Sequence, residues 1–228
     1  SFHFVNENNR SSKSINLNSG KIKARKLVFI DRQLKVNIEN FVGTLDNSFI
    51  KSINTSASIS YKPGFLSMNR FRLSSGPNYL NGKIELSGTK GSLNNFNTNG
   101  NINMIVDNCK IELISMFPKN KYLNDIPPLK TSFLVNGSLS ELEFEDLKIS
   151  NPLLKFFGNL NIKNPFKAER LKVKMFTDSL KINIDELRKI NTISKQVKEN
   201  LQKISNLNLK GISLFNINNF NFDLFSKN

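Results

Sequence analysis

The chain has no tryptophan, one cysteine and one histidine, and these scarcities remove most enzyme chemistry before any fold is considered. Any Ser-His-Asp or Cys-His arrangement would have to use His3, close to the start of the sequence, with Cys109 or a serine as nucleophile. A single cysteine permits neither an internal disulfide nor a cysteine-based metal cluster. Metal centres need clustered His, Cys or carboxylate ligands. The densest acidic group here is Glu141, Glu143, Glu145 and Asp146. Its three glutamates alternate with Leu142 and Phe144, so it reads as the solvated face of a strand. No Gly-x-Gly-x-x-Gly or Gly-x-x-x-x-Gly-Lys-Ser/Thr run offers a phosphate cradle. The expectation is a protein that is not an enzyme and that uses no cofactor and no metal.

Long apolar runs are missing too. No stretch of about 18 apolar residues can form a transmembrane helix. The opening Ser1-Phe-His-Phe-Val has no initiator Met and no charged segment leading into an apolar one. The chain is therefore expected to be an internal or C-terminal-side piece of a longer protein.

Positive charge is plentiful, with a formal net charge of +15. Such a surface attracts phosphate-rich partners. Yet 26 of the 33 basic residues are lysine, and they are scattered along strands as the polar half of alternation, as at Lys21, Lys23, Lys172 and Lys174. Among the 19 phenylalanines, Phe71, Phe133, Phe144 and Phe222 follow the apolar phase and read as core or groove lining rather than as stacking platforms for bases. No nucleic-acid partner is expected, and lipid headgroups satisfy the same charge.

Alternation with a period of two dominates what is present. Ile53-Thr55-Ala57-Ile59-Tyr61, Ile102-Met104-Val106, Leu171-Val173-Met175 and Leu180-Ile182-Ile184 each put apolar side chains on one strand face. Turn residues separate them at Lys62-Pro63-Gly64, Ser75-Gly76-Pro77, Asn136-Gly137 and Asn164-Pro165. Short strands joined by such turns make an antiparallel meander with one apolar face. Gly82, Gly100, Gly137 and Gly158 read as bends or bulges in that sheet. A short helix is expected near 110–117, ended by Pro118, and an amphipathic helix near 185–206 with Leu187, Ile190, Val197, Leu201 and Ile204 on one stripe.

The pattern also repeats. Ile53-Asn-Thr-Ser-Ala-Ser-Ile, Leu129-Lys-Thr-Ser-Phe-Leu-Val and Leu207-Asn-Leu-Lys-Gly-Ile-Ser open successive copies about 76 to 78 residues apart. Tyr79-Leu-Asn-Gly82 aligns with Lys155-Phe-Phe-Gly158. The expected organisation is 1–52 as leading strands, 53–128 and 129–206 as two repeats, and 207–228 as the start of a third. Stacked units of this kind are elongated.

Gly82 to Gly88 (Gly-x-Ile-x-Leu-x-Gly) is followed by Gly-x-Leu-x-x-Phe at Gly91 to Phe96 and by Asn99-Gly100-Asn101-Ile102. Ile111-Glu-Leu-Ile-Ser-Met-Phe-Pro118 comes next, then Pro127-Pro-Leu into Asn136-Gly-Ser-Leu-Ser-Glu-Leu. This order resembles the TamB and wider AsmA-like envelope proteins, over about residues 30 to 225. The resemblance implies an elongated, curved antiparallel sheet forming an open U-shaped apolar groove. It also implies residence in the periplasm, anchorage in the inner membrane by a segment outside this chain, and a part in outer-membrane biogenesis. The implied cargo is phospholipid, held by its acyl chains, with an outer-membrane BamA-family barrel as a further partner. Assistance to outer-membrane protein assembly or secretion is the alternative role the family suggests.

The residues support such a mechanism on physical grounds. A diacyl lipid in water exposes roughly 30 methylenes at about 0.8 kcal/mol each, a barrier above roughly 20 kcal/mol that a continuous apolar lane removes. Some fourteen strands, at about 4.8 Å spacing, would make a lane around 65 Å long. The residues expected to line it are Ile53, Ala57, Ile59, Ile84, Leu86, Ile102, Met104, Phe133, Val135, Phe156, Leu160, Ile162, Leu171 and Val173. Four rival readings place the same residues elsewhere: the core of a closed sandwich, an outer-membrane barrel, a basic nucleic-acid-binding β protein, or a ligand-free structural solenoid.

Overall fold

Alternation and turn chemistry carry over directly into pairing. The computed structural model describes residues 17–45, 52–88, 93, 100–116, 120, 123–201, 207–216 and 219–226. It contains β1 (Leu17–Ile30), β2 (Gln33–Leu45), β3 (Ser52–Lys62), β4 (Phe65–Ser75), β5 (Asn78–Ser87) and β6 (Asn101–Ile111). After a long connection follow β7 (Leu129–Ser138), β8 (Glu141–Ser150), β9 (Leu154–Lys163) and β10 (Lys172–Ile182). A second long connection leads to β11 (Leu207–Asn216) and β12 (Asn219–Ser226). The strands pair in chain order in one antiparallel sheet, with β1 and β12 at opposite edges, so the sheet is open. The mainly β antiparallel meander expected from alternation is the one observed, and its sheet is open, as the resemblance implied. Twelve strands are described rather than some fourteen, and Gly91 to Phe96 lies, save for Leu93, outside the described residues.

Turn residues set the tight connections. Asp31 and Arg32 both take positive φ, 49° and 61°, which gives the two-residue link between β1 and β2 the twist a hairpin needs. Gly64, at φ 74°, closes the β3–β4 hairpin behind Pro63.

Each even strand from β2 to β10 carries one extra residue near its middle. The register slips between Ile38 and Phe41, Met68 and Phe71, Val106 and Cys109, Phe144 and Leu147, and Thr177 and Leu180. A bulge bends its strand and raises the local twist. Because strand pairs are in register, these bulges align into one line across the sheet, the crease. Arg70 and Asp146, in the bulges of β4 and β8, both hold positive φ, 50° and 49°, and stand one repeat apart in sequence.

Each strand packs substantially only against its two neighbours, with no second layer among the described residues. Burial nevertheless becomes nearly complete at the crease: Val106 is 1% exposed and Thr177 2%.

The helices differ from the sequence expectation. Lys110 and Ile111 belong to β6, where they pair with Lys130 and Leu129, so α1 is confined to Leu113–Met116. The helix expected near 185–206 is broken into α2 (Ile184–Arg188) and α3 (Lys195–Leu201). Asn183 caps α2, its Oδ1 accepting from the Glu186 N–H at 3.2 Å. The Asn191 N–H leaves the helical ladder and donates to Asp125 Oδ2 at 3.0 Å. Ser194 then opens α3, its carbonyl accepting from the Lys198 N–H. The break divides the expected stripe: Ile190 is buried with Leu153 and Ile184, while Val197 is exposed. Ile204 lies outside the described residues.

Candidate functional site

One face of the sheet is apolar from strand to strand, and register shows it as rows running along the molecule. Val36, Ile59, Met68, Ile84, Met104, Val135, Phe144, Leu160 and Met175 follow one another as direct cross-strand partners from β2 to β10. A parallel row runs through Leu34, Tyr61, Leu66, Leu86 and Ile102, and resumes with Leu142, Ile162, Val173 and Phe215. Beyond the crease a third row joins Leu80, Cys109, Thr131, Ile149, Phe156, Leu180 and Leu209.

Ile59, Ile84, Met104, Val135 and Leu160 thus lie in one row, Leu86 and Ile102 are partners in the next, and Ile162 faces Val173. Ala57, opposite Ile38, and Phe133, opposite Val106, sit at the crease. Phe156 stands beyond the crease, and Ile53 near the start of β3 opposite Gly43. Leu171 precedes β10 and is half-buried.

Exposure separates this face from a closed core. Ala57, Val135 and Phe156 are buried, and the other eleven candidates are half-buried. A second sheet or helix layer would have covered all of them. An extended apolar face left partly open to solvent marks an interaction site.

The crease itself has a composition that alternation alone did not single out. Gly82 faces Val106, Gly158 faces Thr177, and Gly211 faces Thr177 from the other side. A methyl group on Gly82 would land on the carbonyl oxygen of Ile105, and one on Gly158 on that of Phe176. Gly82 and Gly158 stand opposite the bulges of β6 and β10 rather than in bulges of their own strands, and Gly100 lies just before β6 and in no bulge. The signal for the rest was in the sequence. Apolar positions run 66, 68 and then 71, 73 in β4, and 102, 104, 106 and then 109, 111 in β6. Each such change from even to odd numbering marks a bulge.

Polar groups on the apolar face are few. The Thr177, Ser213 and Thr131 hydroxyls are buried without a partner. Burial also pushes the Cys109 thiol above its ordinary value. On the opposite face, Phe157 and Phe176 break the alternation and are covered by Lys148 at 5.8 Å and Lys174 at 4.5 Å from the ring centres. Among the described residues no cluster of His, Cys, Asp or Glu has the makings of a metal site. No described helix is long and apolar enough to cross a membrane. No family model, curated protein or solved structure matches the chain.

Proposed function

We propose that this chain is part of a periplasm-spanning bridge of the TamB and AsmA-like kind, which shields phospholipid acyl chains in transit between inner and outer membranes. The observation that carries this reading is the row of directly paired apolar side chains from Val36 to Met175, which crosses nine successive strands and is half-buried at every position except the buried Val135. The apolar rows run from β2 to β11, and ten strands at about 4.8 Å spacing give a lane about 43 Å long, about twice an extended acyl chain. A lane of Ile, Leu, Val, Met and Phe offers similar dispersion contacts at every step, so a lipid can slide without a trap. In this reading the crease gives the lane its floor and the two flanks shield the chains from water. The protein resides in the periplasm, anchored by a segment outside this chain, and an outer-membrane barrel receives the cargo.

Native mass spectrometry with lipid extraction, on the chain purified from a bacterial host without detergent, tests the proposal. Co-purified phospholipid in several copies is expected. Ile84→Asp and Leu160→Asp place a charge in the central row, and both variants should fold while losing the lipid. Unfolding of both would show that the row is an ordinary core, and a folded, lipid-free wild type would remove the lipid reading.

A further inference from the structure

The polar face is unevenly charged. Lys110 of β6 lies directly opposite Lys130 of β7, and Lys155 of β9 directly opposite Lys181 of β10. Ser150 of β8 joins the two pairs into one row, which Tyr79 and Asn208 extend at either end. The row holds four lysines and no carboxylate. Like charges set directly opposite destabilise a sheet, and none of these four makes an ion pair among the described residues. Three carboxylates of the connections at this end are engaged elsewhere: Asp185 with Arg188, Glu186 with Lys189, and Asp125 with the Asn191 N–H. Towards the other end of the same strands the charges are mixed and paired, Lys163 with Glu141 at 3.2 Å and Lys83 with Glu85 at 2.6 Å.

The lysine row lies one residue inside the rim where β6 and β10 end and β7 and β9 begin. That rim bears α1, α2 and α3, and a recess of about 410 Å³ opens there between β9, β10 and β11. Lys155 and Lys181 share this recess with Leu154, Ile182 and Leu207. The three apolar residues are direct partners across β9, β10 and β11 and form the outermost row of the apolar face. The recess thus brings an apolar wall continuous with the lane to the rim beside Lys155 and Lys181, whose side chains leave from the polar face and make no ion pair among the described residues. Its volume is that of a small-molecule site.

We propose that Lys155 and Lys181 hold the phosphate of a phospholipid at the helical rim while its acyl chains lie on the lane. Lys110 and Lys130 offer the next phosphate position along the same row. This rests on the lipid-conduit reading and adds to it that headgroups ride over the helical rim rather than the opposite one. Lysine acts as a mobile point charge rather than a bidentate fork, so a phosphate can pass from one pair to the next.

The test compares dioleoyl phosphatidylglycerol with dioleoylglycerol, which has the same chains and no phosphate, as ligands of the chain in native mass spectrometry. The wild type should prefer phosphatidylglycerol about tenfold or more, on the scale of one to two lysine–headgroup contacts. Lys155→Gln with Lys181→Gln should abolish the preference and leave dioleoylglycerol binding unchanged. Lys181→Gln alone should lose part of it, which keeps the test readable if the double variant misfolds. Lys163→Gln with Lys172→Gln, an equal loss of charge near the other rim, should change nothing. Retention of the preference by the Lys155/Lys181 variant, or its equal loss in the Lys163/Lys172 variant, would overturn the inference. Equal binding of both lipids by the wild type would overturn it and leave the conduit standing, whereas binding of neither would remove both. Inorganic phosphate or a single-stranded RNA oligonucleotide bound through Lys155 and Lys181 in preference to phosphatidylglycerol would also overturn it.

Discussion

At Gly82 and Gly158 the requirement is for the absence of a side chain. Each faces the crease, and an added methyl would meet a backbone carbonyl of the next strand that cannot withdraw without breaking its ladder. Gly82→Ala and Gly158→Ala should each cost about 2 kcal/mol or more, measured by denaturant unfolding. Gly76, at φ 56° in an open turn with nothing within 4 Å, should lose less on the same substitution. Glu141 illustrates the polar face. Asn161 Nδ2 donates to its Oε1 at 2.9 Å and Lys163 pairs with it, and together they hold its carboxyl below the ordinary 4.5. A depressed carboxyl stabilises the fold above its unfolded value and loses that contribution as pH falls through the folded one. Unfolding titrations should therefore show less acid sensitivity below pH 4.5 in Glu141→Gln than in the wild type. Lys155 and Lys181 run against stability instead: Lys155→Gln should raise it by about 0.2–1 kcal/mol. A wild type more stable than this variant would show that the row carries no stability cost to be offset by a ligand.

At the scale of the element, the bulge is the unit that makes the face continuous. Side-chain direction has a period of two, so one extra residue moves everything beyond it to the other face. In β10 the apolar positions are Val173 and Met175 before the bulge and Leu180 and Ile182 after it. Deleting Asp178 should throw Leu180 and Ile182 to the polar side and bring Lys181 into the lane. We expect loss of folded structure from β10 onward, read by hydrogen exchange, while Asp178→Gly at the same site is tolerated. The helices show the converse. The stripe from Leu187 to Ile204 is helical in spacing, yet Asp125 takes the Asn191 N–H and the Ser194 hydroxyl accepts from the Val197 N–H, which divides it.

The whole molecule behaves as a one-dimensional stack. Strands contact substantially only their sequence neighbours, and after β2 the elements run four strands then helix, twice, before β11. Stability of such an array is approximately a sum over units and their interfaces. Removing residues 53–128 would place β2 beside β7 with apolar faces still on the same side. The shortened chain should remain folded, with its denaturant slope reduced by about a third in proportion to the surface lost. Complete unfolding of that variant would show that the stack is not modular.

Much of this was legible without coordinates. Ile53-Thr55-Ala57-Ile59-Tyr61 specifies a strand and its apolar face, because alternation leaves no other periodicity able to bury those side chains together. Pro63-Gly64 and Gly76-Pro77 specify turns through the dihedral angles these residues allow. The repeat, with Gly82 and Gly158 at matching places, points to stacking. Three things were decided only by tertiary pairing. Whether the apolar face closes against a second layer depends on what packs over it, and alternation is identical in a sandwich core and an open sheet. The alignment of bulges into one crease depends on register between strands tens of residues apart. Lys110, Lys130, Lys155 and Lys181, dispersed in sequence, become one row only because β6 to β10 pair in that register. Local chemistry determined each strand and its two faces; only the pairing of strands determined which side chains share a row.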